Sequence, residues 1–112
     1  RRKIRVNVED NCPVADITLT FTASLIEYHR DALDQPSVQK KIEEQLAAQI
    51  KQACQEIIHY TQEIGSDPLG IGDLIRAKYP AYWQEVDWST AYRETIVKLS
   101  VKLDLLQYGA IN

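Results

Sequence analysis

The residue types most able to bind or position another molecule are concentrated between residues 67 and 88 of this 112-residue chain. This stretch, called the corner segment below, contains both tryptophans, two of the four prolines and two of the four glycines. Proline and glycine fix the backbone of turns, and tryptophan buries a large area in a shaped pocket. The composition therefore predicts a specifically shaped corner that is held by, or itself holds, other parts of the molecule.

Two interpretations apply to the aromatic and basic residues of this region. The aromatic residues could line a ligand groove or a partner-binding patch, or they could form a satellite core that caps one end of a sheet. Arg76 and Lys78 could dock an acidic partner, or they could be the solvated face of a short helix. The candidate binding residues are Asp67, Pro68, Gly70, Gly72, Arg76, Lys78, Tyr79, Tyr82, Trp83 and Trp88, with Tyr92 as a further member of the aromatic group.

Gly70 and Gly72 do not make a phosphate-binding loop. A third glycine and a following Lys-Ser/Thr pair are both missing, and the glycines follow a predicted helix and not a strand. The stretch predicts instead a turn and then a short helix from about Gly72 to Lys78. Tyr79 precedes a proline and should end that helix, because such a residue avoids helical backbone angles. A further turn is expected to carry Tyr82 and Trp83.

Neither histidines nor cysteines indicate catalysis or metal binding. His29 and His59 have no carboxylate or cysteine partner at the spacing of a metal site or a catalytic triad. Cys12 and Cys54 are expected to be unpaired structural thiols. The sequence therefore predicts no catalytic residue, no metal site and no cofactor.

The elements that must position the corner segment are visible as periodic patterns. Alternation of apolar and polar residues with period two, typical of half-buried strands, runs through residues 4–8, 17–23 and 97–105. The turn residues 10–13 join the first two strands into a predicted antiparallel hairpin. The third strand follows the corner segment, so the corner lies between the helical region and the last strand.

A long helix is predicted between the second strand and the corner segment. It begins near Pro36, which suits a first helical position, and it stops at Gly65 after about 29 residues, or roughly 43 Å. Its apolar stripe recurs at steps of three and four residues. The stripe consists of Val38, Ile42, Leu46, Ile50, Cys54, Ile57, Thr61 and Ile64.

These patterns predict one α+β domain over residues 1–112. It has two layers, with a mostly antiparallel sheet of three or four strands covered on one face by the long helix, plus one or two short helices. If the first strand is central, the other two flank it and run parallel to each other. The opposite sheet face is a ladder of Thr, Lys, Ser and Asp that meets either water or another domain.

Composition limits the class of function. The chain is 45% hydrophobic and 26% charged, which is ordinary for a globular domain. Its net charge of −3 gives no footprint for nucleic-acid binding. No apolar run approaches the roughly 18 residues that a membrane span needs.

The corner segment resembles a known family. The matching residues are Asp67-Pro68-Leu69-Gly70-Ile71-Gly72, Arg76-Ala77-Lys78-Tyr79-Pro80, Trp83 and Trp88. They resemble the D-P-[LI]-G-[FIL]-G, K-Y-P, W and W run of the Ger(x)C spore germination lipoproteins, the C subunits of nutrient germinant receptors. The element order is similar to that family's C-terminal domain, so the likeness covers essentially the whole chain. It departs at the end, where Arg-Thr-Gly-Leu is frequent in the family and Gln107-Tyr108-Gly109-Ala110 stands here.

The resemblance implies a non-enzymatic role in spore germination. It implies that the protein acts in a complex with integral-membrane A and B subunits. Small nutrients such as amino acids or sugars would activate this complex. It also implies a location on the outer face of the spore inner membrane, held by a lipid anchor upstream of Arg1, with this fragment itself soluble. Docking through protein–protein contacts is the leading hypothesis.

Two hypotheses from other classes stay open at this point. The first is a small-molecule binding module in which Tyr82, Trp83 and Trp88 form a groove for an amino acid or sugar germinant. The second is a hydrolase of sugar polymers that uses a carboxylate pair such as Asp73 and Glu85. No placed nucleophile or acid supports the second.

Overall fold

The computed structural model describes residues 1–25 and 36–107. His29 and the chain end from Tyr108 onward, to which parts of the sequence analysis refer, lie outside these ranges. The elements in chain order are β1 (Arg2–Glu9), β2 (Cys12–Leu25), α1 (Pro36–Ile64), α2 (Ile71–Lys78), α3 (Pro80–Glu85), α4 (Trp88–Glu94) and β3 (Ile96–Gln107).

Strands β1 and β2 form the predicted antiparallel hairpin. Their register runs from Glu9 opposite Cys12 to Arg2 opposite Leu19. Asp10 and Asn11 make the turn with positive φ angles of 52° and 62°. Two consecutive left-handed residues form the type of hairpin turn that matches the natural twist of the strands, and Asn and Asp tolerate this conformation best after glycine.

The sheet has the order β1-β2-β3, so β2 is the central strand. The arrangement with the first strand central is therefore wrong, although β2 and β3 do run parallel, as that arrangement required. The sheet is mixed, with one antiparallel and one parallel pair. A parallel pair needs a crossover of at least a dozen residues, and the chain from α1 to α4 supplies it. Strand β2 is the longest at 14 residues, which lets it pair along both edges.

The predicted α+β class and the long helix are confirmed, and residues 36–107 contain three short helices where one or two were predicted. Helix α1 has 29 residues and begins at Pro36. It ends where Gly65, with a φ of 70°, donates its N–H to the carbonyl of Gln62 at 3.1 Å, while Ser66 donates to Thr61 at 2.9 Å. These two bonds satisfy carbonyls of the last turn.

The buried stripe of α1 differs from the predicted one at its C-terminal half. Ile58 is the buried isoleucine, at 8% exposure, whereas Ile57 and Ile64 are 62% and 52% exposed. The prediction was wrong for these two residues. A strict seven-residue pattern drifts around a straight helix, so the face toward the sheet passes from Cys54 to Ile58.

The core lies where the short helices meet the sheet. Its largest fully buried side chains are Tyr92, Ile71 and Ile75. They pack with Ala15 and Ile17 of β2. Each fully buried isoleucine contributes on the order of 1.5–3 kcal/mol through removal of apolar surface from water. The segment around the corner is therefore part of the core and not an appended loop.

The opposite face of the sheet is polar and exposed. Its register brings together Lys3, Thr18 and Ser100, each of which is exposed. Val14 is an exception on this face, since it is only 4% exposed near the start of β2. None of the helices between residues 36 and 94 combines the length and the hydropathy that crossing a bilayer requires.

Candidate functional site

The carboxylate of Asp67 is the centre of the corner segment. It accepts hydrogen bonds from the backbone N–H of Ile71 at 3.1 Å and of Gly72 at 2.7 Å. It also accepts one from the indole Nε1–H of Trp88 at 3.0 Å. The two backbone donors belong to the first turn of α2, where unpaired N–H groups and the helix dipole favour a negative charge. Asp67 thus ties α2 to the start of α4.

The two glycines of the corner allow this arrangement for different reasons. Gly70 precedes α2 with a φ of 72°, in the left-handed region that glycine adopts without steric cost. Gly72 is buried, and a Cβ atom built on it would lie only 2.5 Å from Nε1 of Trp88. The absence of a side chain at Gly72 is therefore what lets the indole ring approach the helix backbone.

Three aromatic rings continue from this contact into the core. The ring centroids of Trp83 and Trp88 are 5.5 Å apart, and those of Trp88 and Tyr92 are 6.0 Å apart. Tilted pairs at these distances are favourable beyond the area that they bury. Tyr92 is fully buried, and its hydroxyl shares a 2.8 Å hydrogen bond with Oγ1 of Thr61. The row matches the satellite-core interpretation of the aromatic group.

The two basic candidates have different environments. Lys78 donates from Nζ to the carbonyl of Val6 at 2.9 Å and to Oδ1 of Asn7 at 3.0 Å, which ties α2 to β1. Its ammonium also lies 5.5 Å from the ring centre of Tyr79. The side chain of Arg76 is 62% exposed and lies 3.7 Å from Asp73. Both residues are exposed, but the ammonium of Lys78 is bonded to β1, whereas the guanidinium of Arg76 lies near a carboxylate of its own helix.

Tyr82 lines a depression of about 280 Å³ beside α4, together with Asp87, Thr90 and Glu94. Burial, and then the charges of Cys12 and Glu94, raise the pKa of Tyr82 above its ordinary value. Oδ2 of Asp87 accepts a 2.8 Å hydrogen bond from Thr90. Neither tryptophan lines this depression, so it is not the single groove of Tyr82, Trp83 and Trp88 that the sequence suggested.

The outer side of the corner consists of α2 and the turn before it. Pro68 is exposed, and Leu74 is 39% exposed although it lies between two buried isoleucines, Ile71 and Ile75. An open groove of about 640 Å³ runs from Leu74 and the neighbouring α2 residues to β1. Leu74 was not among the predicted site residues. Its position one residue off the i, i+4 pair of buried isoleucines is the signal that could have found it.

Carboxylates and histidines do not converge in the described part of the chain. Asp73 is 78% exposed at its side chain, and Glu85 is exposed on a different helix, α3. Neither has the apolar setting that would suit a general acid. His59 is exposed and lies 3.0 Å from Glu63. Among residues 1–25 and 36–107, no group of three His, Cys, Asp or Glu could hold a metal ion.

The sequence of this domain matches a known protein family. Residues 1–109 match the family described as "Spore germination B3/GerAC like, C-terminal". The chain belongs to this family. The resemblance seen in the corner segment is thereby confirmed, and the GerAC-like domain extends over nearly the whole chain.

Two relatives support the assignment of the GerAC-like domain. Spore germination protein B3 of Bacillus subtilis (strain 168) is 24% identical over 119 residues, which cover 99% of this chain and 31% of that protein. The crystal structure of the GerBC protein superposes with a TM-score of 0.77 at 20% identity, covering 95% of this chain and 34% of that one. The structural likeness shows a shared fold. The GerAC-like domain spans about a third of the length of these relatives.

Proposed function

We propose that this GerAC-like domain is a non-enzymatic docking module in the C subunit of a spore germinant receptor. Its family places it among spore germination receptor C subunits. The observation that supports the docking role is that the carboxylate of Asp67 accepts hydrogen bonds from three donors of its own domain. Asp67 therefore has a structural role in the corner segment, which favours a docking surface over a reactive site.

The surface that the corner supports is the outer side of α2. Leu74 lines the open groove between α2 and β1, and Arg76 is exposed two residues further along the same helix. Lys78 and Asp67 hold α2 in place from both ends. An exposed leucine and a solvated arginine on one short helix suit an interface with an acidic partner, because arginine makes bidentate contacts with carboxylates.

The partners in this proposal are the integral-membrane A and B subunits of the receptor. The longer protein would be held by a lipid on the outer face of the spore inner membrane, and this domain would contact the other subunits from there. In the two relatives, about two thirds of the chain lies outside the matching domain.

Co-purification of the receptor subunits tests the docking role. The full-length C subunit carrying both Arg76→Glu and Leu74→Gln should recover less A and B subunit from spores, by about threefold or more, and should slow nutrient germination. Both side chains are exposed, so the fold should persist in this variant. Lys98→Glu, an exposed charge reversal on the sheet, is the matched control. Undiminished recovery and germination in the double variant would refute this surface.

A second candidate function is direct binding of a small germinant beside Tyr82. The depression of about 280 Å³ is large enough for an amino acid, and Asp87 and Glu94 could receive an ammonium group. Titration of the labelled domain with a panel of amino acids and sugars should shift the signals of Tyr82 and Thr90. Asp87→Asn should abolish those shifts. No response from any member of the panel would exclude this candidate.

A further inference from the structure

A second surface stands out on the C-terminal half of α1. Ile57, Tyr60 and Ile64 are 62%, 61% and 52% exposed. Steps of three and four residues put these side chains on one side of the helix, on successive turns. Large apolar side chains that cluster in this way mark interaction sites more often than chance exposure. These three residues are called the α1 surface below.

An apolar pocket adjoins the α1 surface. It has a volume of about 150 Å³, and Ile57 is part of its wall. Its other lining residues include Leu19 of β2, Ile58 of α1 and Leu69 of the turn before α2, and Arg2 of β1 also borders it. A cavity of about this size lined by aliphatic side chains accommodates a group as large as benzene. The pocket is therefore suited to one apolar side chain of a partner.

Acidic residues flank the α1 surface. Glu56 and Glu63 are exposed, and they lie four residues before and three residues after Tyr60, so both neighbour it on the helix. His59 lies beside Glu63 at 3.0 Å. The flank thus has a net negative charge when His59 is neutral. A partner that covers the α1 surface gains from basic side chains opposite this flank.

This charge distribution discriminates between two kinds of helical partner. A second copy of α1, packed antiparallel with Ile57 against Ile57, would set Glu56 opposite the same glutamate of the other copy. Like charges at flanking positions of paired helices oppose association. A helix with an apolar stripe and a basic flank has no such conflict, and its stripe can follow the spacing of the exposed residues.

We propose that the α1 surface binds an amphipathic helix of a partner protein that carries lysine or arginine along one side of its apolar stripe. One apolar side chain of that helix enters the pocket beside Ile57, and the basic residues face Glu56 and Glu63. This deepens the docking function proposed above. It rests on that function for the assignment of the partner to the receptor, but not for the binding of such a helix.

The test uses a defined probe and the isolated domain. The probe is a synthetic helix of about five turns with leucine on one stripe and lysine on one flank. A matched peptide has glutamate in place of each lysine. Titration of the isotope-labelled domain should shift signals of residues 53–64 and of Leu69, and the lysine peptide should bind at least about tenfold more tightly than the glutamate peptide. Higher salt should reduce that ratio.

Variants locate the binding. The double variant Ile57→Gln and Ile64→Gln should lower the affinity for the lysine peptide by about tenfold or more. Both side chains are exposed, so the variant should still fold. Ile96→Gln removes an isoleucine of similar exposure, 50%, from the other side of the sheet and should leave binding unchanged.

Three results would overturn the proposal. The first is equal affinity for both peptides, and the second is unchanged affinity in the double variant. The third is self-association of the domain that Ile57→Gln abolishes, because a second copy of the domain would then be the occupant. The receptor co-purification experiment is independent of this titration. Peptide binding without a loss of receptor in the α2 variant would refute the proposed docking surface on α2 and leave this one standing.

Discussion

At the scale of single residues, the corner segment shows how a motif can be specific without being reactive. The backbone donors to Asp67, Ile71 and Gly72, are four and five residues away, but the indole that it binds is 21 residues away. The short-range part of this arrangement can be predicted from an aspartate ahead of a helix start. The contact with Trp88 cannot, because it depends on how α4 returns across α2. The structural role of the motif follows from that long-range hydrogen bond.

Asp67→Ala is expected to reduce the free energy of unfolding by about 2 kcal/mol, since it leaves two helix N–H groups and the Trp88 indole without their acceptor. Asp73→Ala is the control, because that side chain is 78% exposed and should cost less than about 1 kcal/mol. Urea denaturation measures both. In the Asp67 variant alone, the indole N–H signal of Trp88 should move in NMR spectra. Equal stability of the two variants would contradict this account of Asp67.

Gly72→Ala is expected to destabilise the domain by about 1–3 kcal/mol, although alanine ordinarily favours a helix. The added Cβ would lie 2.5 Å from Trp88 Nε1, so the ring must move. Gly70→Ala tests backbone strain without crowding, since the added Cβ would lie 3.7 Å from Oδ2 of Asp73, an ordinary contact distance. It should cost about 1 kcal/mol through its positive φ and leave the Trp88 signal in place. A Trp88 signal that is unperturbed in the Gly72 variant would rule out the close-approach argument.

The buried phenol of Tyr92 gives the domain an alkaline pH dependence. Burial raises its pKa above the ordinary value of 10.0, the hydrogen bond with Thr61 opposes this, and the charge of Asp67 adds to it. Below pH 10 the phenol is protonated in both the folded and the unfolded chain. Above it the unfolded chain loses the proton first, so the free energy of unfolding falls as pH rises toward the folded pKa.

Tyr92→Phe should therefore flatten this alkaline decline, while it lowers stability near neutral pH by about 1 kcal/mol through loss of the bond to Thr61. The measurement is chemical denaturation at intervals from pH 8 to about pH 11. Tyr82 also has a raised pKa and remains in the variant, so part of the decline should persist. Identical pH profiles for the variant and the natural protein would show that Tyr92 does not titrate as described.

At the scale of elements, sequence periodicity predicted the long and regular helices and strands. All three strands and α1 were found from alternation and helical spacing, because each buries one side over several residues, and α2 was found from the turn before it and the proline after it. Helix α4 was missed, because its seven residues are too few for a pattern and Trp88 was read as part of a corner. Strand order was missed for another reason. Both strands of the hairpin alternate equally well, so the pattern alone does not say which one also accepts β3.

Polar side chains of α1 also bond to the backbone of neighbouring elements, which no periodic pattern reveals. Gln62 donates to the carbonyls of Tyr92 and Thr95 at 2.9 and 2.8 Å. At the other end, Gln39 donates to the carbonyl of Leu105 at 3.1 Å, and Glu43 accepts from its N–H at 2.9 Å. These bonds satisfy backbone groups on the outer edge of β3, where an exposed edge would invite pairing with another chain.

Glu43→Ala should increase hydrogen exchange of the Leu105 amide by about tenfold, because a hydrogen bond to a charged acceptor is lost. Amide exchange followed by NMR at constant pH reports this site directly. Glu44→Ala removes the adjacent exposed carboxylate and should leave the Leu105 amide unchanged. If both variants exchange alike, the carboxylate of Glu43 does not protect the strand edge.

At the scale of the whole molecule, the domain is elongated and its stability is expected to be uneven. It measures 60 × 24 × 21 Å, with a radius of gyration of 18.5 Å against about 13 Å for a compact domain of this size. Strand β1 pairs with β2 only as far as Leu19, apart from a bond pair between Arg1 and Thr20. Beyond Thr20 the sheet has two strands, called the arm below. The core around Tyr92 and Ile75 lies at the other end.

We therefore expect the arm to open at a lower free energy than the three-stranded part of the sheet. Native-state hydrogen exchange should give residues 21–25 and 102–106 opening free energies at least about 2 kcal/mol below those of residues 14–19. The physical reason is the single partner strand and the partial exposure of Phe21, 37%, on the face that elsewhere forms the core. Ile75→Ala, at the opposite end, should lower the opening free energy of residues 14–19 and so reduce its difference from that of the arm. Uniform protection along β2 would mean that α1 transmits the stability of the core over its full length, and the division into core and arm would then be wrong.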